Sequence, residues 1–334
     1  MPTRTLKDGT VLIGPNIDIG ANQKMNLATG RVLHQNLPYE KIPDLLEDLS
    51  PMAVYSPQDL MKTGTDVIRL RRKSDDTEQD FTAKELTDGT YATFASGTTA
   101  AVVTLYDQVG SRDLTNATAS SQPDFTGTTD LSVDFDADLL YSATENNPFA
   151  TDTSFTIASH FKFAFSGNLG SGTVQHFGSI YADFDVGPGW GYGSVHLGNR
   201  MQLEFGGVSS TPPTVQIAAR GTNNAMTSVG RAGRNITTGA SDYDTTNFNT
   251  AIAKITGADT RSIDYKGTLT TEGTDTTLTT TSSVQHRFGL GGWNASGGTL
   301  RAFNGGGNIK ATVFFNKILT DDETTILETI LGAL

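Results

Sequence analysis

Apolar and polar positions alternate most clearly between Asp66 and Phe81, DVIRLRRKSDDTEQDF. Val67, Ile68 and Leu70 interleave with Arg69 and Arg71, the pattern of a half-buried strand. The polar cluster Lys73-Ser74-Asp75-Asp76 breaks it as a turn, and Glu78 to Phe81 reads as the returning strand of a hairpin. Val102 to Leu105 predicts a further strand. So does Leu131-Ser132-Val133-Asp134-Phe135, with Leu131, Val133 and Phe135 inward. The longest alternation runs from Ser154 to Phe165. Phe155, Ile157, Phe161, Phe163 and Phe165 suit a central strand that takes a bulge or register break on the way. Phe177–Tyr181, Met201–Phe205, Val215–Ala218, Asn247–Ile255 and Arg261–Gly267 continue the series, with Gly257-Ala258-Asp259-Thr260 as a hairpin turn. The Thr-rich stretch from Thr268 to Ser283 predicts an exposed edge with loops. Lys310 to Asn316 reads as a buried strand, and a helix starts at Thr320. Thr320 serves as N-cap, Glu323 completes a capping box, and Asp321 and Asp322 sit on the positive end of the helix dipole. The expected core is Phe155, Ile157, Phe161, Phe163, Val313 and Phe315.

Residues 1–50 follow a different pattern. Short alternating pieces between Gly9 and Gly20 are cut by glycine and proline, and such a segment buries no core alone. Asp44 to Leu49 predicts a helical turn or two, with Pro43 near its start and Ser50-Pro51 ending it. Two readings follow: a leader packed on its own domain, or an arm that docks on a neighbouring subunit. A polar segment of this kind needs a surface to order it, which favours docking. The division expected is an N-terminal arm over 1–50 and one β domain over 51–334.

Composition narrows the classes. The 334 residues include 36 glycines and no cysteine, so disulfide scaffolds, cysteine-ligated metals and cysteine nucleophiles are excluded. A formal net charge of −12 repels nucleic acid and anionic membranes, and neither is expected as a partner. No apolar run approaches the roughly 18 residues of a membrane span, and Met1 to Leu6 carries no apolar signal core.

An ordered set of short motifs runs through the first half: Tyr55-Ser56, the Arg/Asp-rich hairpin, Tyr106-Asp107-Gln108, Leu114-Thr115-Asn116-Ala117 and Gln122-Pro123. Further on come Trp190-Gly191-Tyr192-Gly193 and a closing segment, Leu319-Thr320-Asp321-Asp322-Glu323, before the last helix. This set resembles the catalytic-type domain of arabinofuranosidase B, a module also found in bacteriophage virion proteins behind an N-terminal attachment segment. The resemblance covers roughly residues 50–334 and implies an all-β fold, a concanavalin A-like two-sheet β-sandwich (jelly roll) with an extended N-terminal arm and a short C-terminal helix.

The same resemblance implies where glycoside chemistry would sit. Its nucleophile is a glutamate on the strand after Trp-Gly-Tyr-Gly, for which Glu204 is the nearest match. Its general acid is the aspartate of a Gly-Gly-Asp-Asn segment, which here reads Gly291-Gly292-Trp293-Asn294, so Trp293 occupies the donor position and carries no acidic proton. Asp183 or Asp185 are the substitutes within reach in sequence. Trp190, Tyr192 and Trp293, set among glycines, make either an aromatic platform for sugar faces or packing under loops. Trp190, Tyr192, Glu204, Trp293 and Asn294 are thus the candidate carbohydrate-binding residues. Asp134, Asp136 and Asp138 alternate in a way compatible with calcium, but without the glycine and final glutamate of the helix-loop-helix motif they read first as a solvated face. His34, His160, His176, His196 and His286 have no metal-like partners at short spacing, and no cofactor or metal is expected. The function expected from all this is a non-enzymatic bacteriophage virion structural protein. It would be joined to capsid or tail proteins through residues 1–50, homo-oligomeric, and able to bind a host-surface glycan. The alternatives are an arabinofuranosidase-like hydrolase and a stand-alone carbohydrate-binding module.

Overall fold

The computed structural model describes residues 42–127, 130–136, 138–143, 145–146, 154–163, 174–182, 200–210, 213–222, 229–237, 246–255, 260–266, 268–273, 285–295, 299–302 and 307–334, with five short strands before them. Those strands are β1 (Thr3–Thr5), β2 (Val11–Ile13), β3 (Asn16–Gly20), β4 (Gln23–Asn26) and β5 (Val32–His34). Among the described residues β1 pairs with β2, and β4 pairs with β3 on one side and β5 on the other. Helix α1 (Ile42–Asp48) follows. Then come β6 (Ala53–Tyr55), the hairpin β7 (Asp66–Arg72) and β8 (Glu78–Thr82), helix α2 (Thr90–Phe94), β9 (Ala100–Leu105), β10 (Leu114–Thr115), β11 (Asp124–Thr126), β12 (Ser132–Phe135), β13 (Leu140–Tyr141) and β14 (Glu145–Asn146). The longer strands are β15 (Phe155–Phe163), β16 (Val174–Ala182), β17 (Arg200–Ser210), β18 (Pro213–Thr222), β19 (Val229–Thr237), β20 (Asn249–Ile255), β21 (Thr260–Tyr265), β22 (Thr268–Gly273) and β23 (Gln285–Leu290). A separate hairpin, β24 (Gly292–Ala295) and β25 (Thr299–Ala302), precedes β26 (Gly307–Phe315) and helix α3 (Asp321–Gly332).

Every ladder among these strands is antiparallel, and the main ones form two layers. In the first, β22, β21, β20, β15 and β26 lie side by side, with β6 and β12 along the other edge of β26. In the second, β19, β18, β17, β16 and β23 lie side by side and continue through β13 and β10 to β9, β7 and β8. β11 bridges β12 and β9, joining the layers at one edge. The chain is an all-β sandwich with a short C-terminal helix, as the alternation predicts.

Both faces of the first layer are buried, against different partners. Phe155, Ile157, Phe161, Ala251, Ala253, Ile309 and Phe314 face the second layer. Phe314 meets Phe288 of β23 edge-on at 5.1 Å and Tyr55 at 5.9 Å. Ala158, Ile252, Ala311, Val313 and Phe315 face outward, where Ile42, Leu46 and Leu49 join Leu327, Ile330 and Leu331 of α3 over them. The single core expected from the sequence is therefore two. Val313 and Phe315 are buried as expected, but under the helices, and Phe163's side chain lies outside the described residues. Each large apolar side chain so buried contributes about 1.5–3 kcal/mol.

Residues 42–50, assigned by sequence to the arm, pack on the body of the domain. Ile42 and Leu46 are fully buried, because the outward apolar stripe of β15, β20 and β26 must be covered and α3 covers only part of it. The capping box at Thr320 is formed: Thr320 Oγ1 accepts from the Glu323 amide at 3.2 Å, and Glu323 Oε2 accepts from the Thr320 amide at 2.8 Å. Lys317 anchors Glu323 at 2.7 Å. Thr156 Oγ1 donates to the Lys317 carbonyl at 2.9 Å and accepts from the Leu319 amide at 3.2 Å, fixing where α3 leaves the sheet.

Candidate functional site

The polar motifs that mark the first half of the chain are buckles between loops. Asp107 Oδ1 accepts from the amides of Val54 at 3.2 Å and Val109 at 3.0 Å, and its Oδ2 accepts from the Arg112 amide at 3.3 Å. Gln108 is 7% exposed. Its amide donates to the carbonyls of Ser56 and Gln58 and accepts from the amides of Leu60 and Met61. Tyr55 donates to the Arg112 carbonyl at 2.7 Å and Ser56 to the Lys310 carbonyl at 2.8 Å. Asn116 and Gln122 are tied the same way: Gln122 Nε2 donates to the Asn116 carbonyl at 2.7 Å while its Oε1 accepts from Arg71. Buried side chains with their hydrogen bonds used on backbone groups hold loops in place. On the solvent side of the hairpin, Arg69 grips Asp80 through two bonds of 2.7 Å and Tyr106 donates to the same carboxylate at 2.6 Å. Arg69's hydrogen bonding holds the Asp80 carboxyl below its usual range.

The glycoside chemistry implied by the resemblance falls on the second layer. Glu204 sits on β17 opposite His176 of β16. The next register pair is Leu203 with Gly178, so Phe177 is an extra residue, a β-bulge directly beside Glu204. Bulges bend a strand and re-aim its side chains, and they concentrate next to active sites. On its other edge β16 pairs with β23, Ser179 level with Gly289. That ladder ends at this pair; β23 stops at Leu290, and Gly291 and Gly292 lead from it into β24 and Trp293. β16 thus lies between β17, which carries Glu204, and the strand that leads to the Trp293 segment. Asn294 lies one residue further along β24, opposite Leu300. Trp190, Tyr192, Asp183, Asp185 and His196 lie outside the described residues.

Gly291 makes this junction possible. Its φ is +75°, and a Cβ there would stand 2.2 Å from Phe135 Cδ1 and 2.5 Å from the Asp138 carbonyl oxygen. Only glycine fits that close approach at a left-handed angle. The Asp138 carboxyl is pushed up to about 6, first by burial and then by the nearby charges of Asp124 and Asp136. Asp138 lies just before β13, with its carbonyl against Gly291. Burial likewise raises Asp134. Among the described residues no cluster of three metal-ligating side chains occurs, around these aspartates or elsewhere.

No family model matches the chain, and no characterised protein matches it in sequence. Solved structures do match it in fold. A mutant GH54 α-L-arabinofuranosidase soaked with 4-nitrophenyl α-L-arabinofuranoside is similar over 87% of this chain and 65% of that one, with a TM-score of 0.57 and 16% identity. An arabinofuranosidase complexed with arabinofuranosyl-α-1,2-xylobiose matches over 87% and 64%, with a TM-score of 0.54 and 17% identity. A GH54 α-L-arabinofuranosidase soaked with a cyclic sulfate inhibitor gives 87% and 65%, 0.55 and 17%. The chain thus spans less than two thirds of the length of these enzymes and shares their sandwich fold. This corrects the expectation of a non-enzyme drawn from Trp293, since these three structures of the same fold are arabinofuranosidases.

Proposed function

We propose that this chain is a carbohydrate-active protein of the arabinofuranosidase kind, a glycoside hydrolase working with Glu204 and the Gly291–Trp293 segment. The observation that supports the reading is the strand order: β16, bulged beside Glu204, lies between β17 and β23, the strand that leads into that segment, on a sandwich shared with arabinofuranosidases. Glu204 is the carboxylate that attacks the anomeric carbon or activates water against it. With Trp293 at the donor position, bond cleavage depends on how readily the leaving group departs without a proton. Aryl arabinofuranosides with an acidic phenol are therefore the substrates to try first. Release of nitrophenol from 4-nitrophenyl α-L-arabinofuranoside, abolished in Glu204→Gln, is the expected result. Turnover that survives Glu204→Gln would remove Glu204 from the reaction, and absence of turnover on any arabinofuranoside would remove the hydrolase.

Trp293 also favours a second reading, a carbohydrate-binding module, since an indole among glycines suits the apolar face of a sugar. Saturable binding of arabino-oligosaccharides that is lost in Trp293→Ala supports it, and binding unaffected by that change counts against it. Placement on a virion through the N-terminal segment is a further proposal, resting on the resemblance. Removal of residues 1–41, which leaves α1 on the domain, should abolish incorporation into particles. Normal incorporation would exclude it.

A further inference from the structure

We infer, on the reading that the Trp293 segment belongs to a sugar site, that Phe135 is the positioning residue for that segment. It holds both ends of the segment at one point of the core. Between β23 and β26 the chain leaves the main ladders. β24 and β25 pair with each other as a separate two-stranded sheet, and β24 lies against β16. Among the described residues no ladder joins this hairpin to either layer. Its placing therefore depends on where the chain departs and where it returns. It departs at Gly291, just after β23, and returns at Gly307, the first residue of β26.

Phe135 meets both points. Its ring lies against Gly291, where a Cβ would stand 2.2 Å from Phe135 Cδ1 and 2.8 Å from Cε1. Its backbone pairs with Gly307 in the ladder of β12 with β26, which sets the two Cα atoms about 4.5–5.5 Å apart. The Asp138 carbonyl oxygen, 2.5 Å from the same Cβ position, adds a second contact at Gly291. With φ at +75°, Gly291 turns the chain out of β23 against these two groups. Phe135 itself has little room to move. It is 1% exposed, in the core cluster between the layers, and close packing resists displacement of such a ring. A smaller side chain at this position would leave a gap beside Gly291, and the exit of the segment would relax into it. Misplacement by about 1 Å in a substrate-positioning segment costs about 10²-fold in rate. Being buried, Phe135 acts only through the segment.

The chain has two tryptophans, Trp190 and Trp293, so Trp190→Phe leaves Trp293 as the one indole reporter. In that background the fluorescence emission of Trp293 is compared in Phe135→Leu and Phe81→Leu. Phe81 is as deeply buried but packs on Tyr91 and Phe94 of α2, so its truncation reports general loosening of the core. Phe135→Leu should shift the Trp293 emission, and Phe81→Leu should leave it in place. Gly291→Ala alters the same contact from the other partner and should also shift it, which keeps the test open if Phe135→Leu folds poorly. Without the Trp190 change, kcat/KM on 4-nitrophenyl α-L-arabinofuranoside per folded molecule should fall about 10²-fold in Phe135→Leu and stay unchanged in Phe81→Leu. Emission unmoved by both Phe135→Leu and Gly291→Ala, or moved as far by Phe81→Leu, would overturn the inference. So would turnover in the unmodified chain that Phe135→Leu leaves unchanged. A shifted emission with no turnover in the unmodified chain would sink the hydrolase and leave Phe135 as the residue that places the segment.

Discussion

Acidification should destabilise this protein through His160, by an amount that the structure fixes. Burial first, and the charge of Lys310 second, push its imidazole down to about 3, against about 6.5 in an unfolded chain. Over that interval the folded state binds fewer protons than the unfolded one. The stability contributed by the neutral ring is therefore complete above about pH 6.5 and drains away as pH falls toward 3. At roughly 1.4 kcal/mol per unit, the whole gap corresponds to about 4–5 kcal/mol, of which about 2 kcal/mol is lost between pH 7 and pH 5. Three carboxyls work in the opposite direction. Burial raises Asp138, Asp134 and Asp66, so their protonation on acidification favours the folded state. The contribution of His160 must be isolated by difference. His160→Asn can still hydrogen-bond Thr250 and does not titrate. Urea unfolding of both proteins at pH 7, 6 and 5 should show the wild type losing about 2 kcal/mol more than the variant across that range. Stability curves that run parallel would mean that His160 is protonated in the folded state near its ordinary value. The ring would then not be buried against Phe248 and Thr250.

Other changes test other parts. Gly291→Ala should cost about 2–4 kcal/mol, from a left-handed backbone angle and a methyl driven against Phe135 and Asp138, and should lower turnover by displacing β24. A loss below about 0.5 kcal/mol in thermal unfolding would mean the junction rearranges freely. Gln108→Ala removes four hydrogen bonds to backbone groups, leaving the Ser56 carbonyl and the Met61 amide without this partner, and should cost about 2–4 kcal/mol with turnover per folded molecule intact; a loss of turnover alone would place Gln108 in the chemistry. Trp293→Asp restores an acid at the donor position and should speed cleavage of alkyl arabinofuranosides by ~10²-fold or more, with far less effect on nitrophenyl substrates. Equal acceleration of both, or none, would refute that position as the donor site.

The sequence by itself determined the class of fold and most of its strands, because a strand half-buried on one face writes a period of two into the chain. The hairpin at Asp66–Thr82 and the capped last helix were both readable from local chemistry, since turn and cap residues act over three or four positions; the register break opposite His160 was not, because its extra residue is Lys310 on the partner strand. What alternation does not record is which of two partners each face meets. Val313 and Phe314 differ in that respect, one under α1 and α3 and the other against Phe288, and only the stacking of layers decides it. The motif residues Asp107 and Gln108 stood out in sequence, but their work as loop buckles depends on backbone groups some fifty residues away. The placing of β16 between the Glu204 strand and β23, and the gathering of His160 and Lys310 on Phe248, are likewise products of register between distant strands. Register is a long-range property set by packing, and a shift of one residue turns a strand over. Residue types therefore fixed the available chemistry, and the ladders alone decided which of those residues meet.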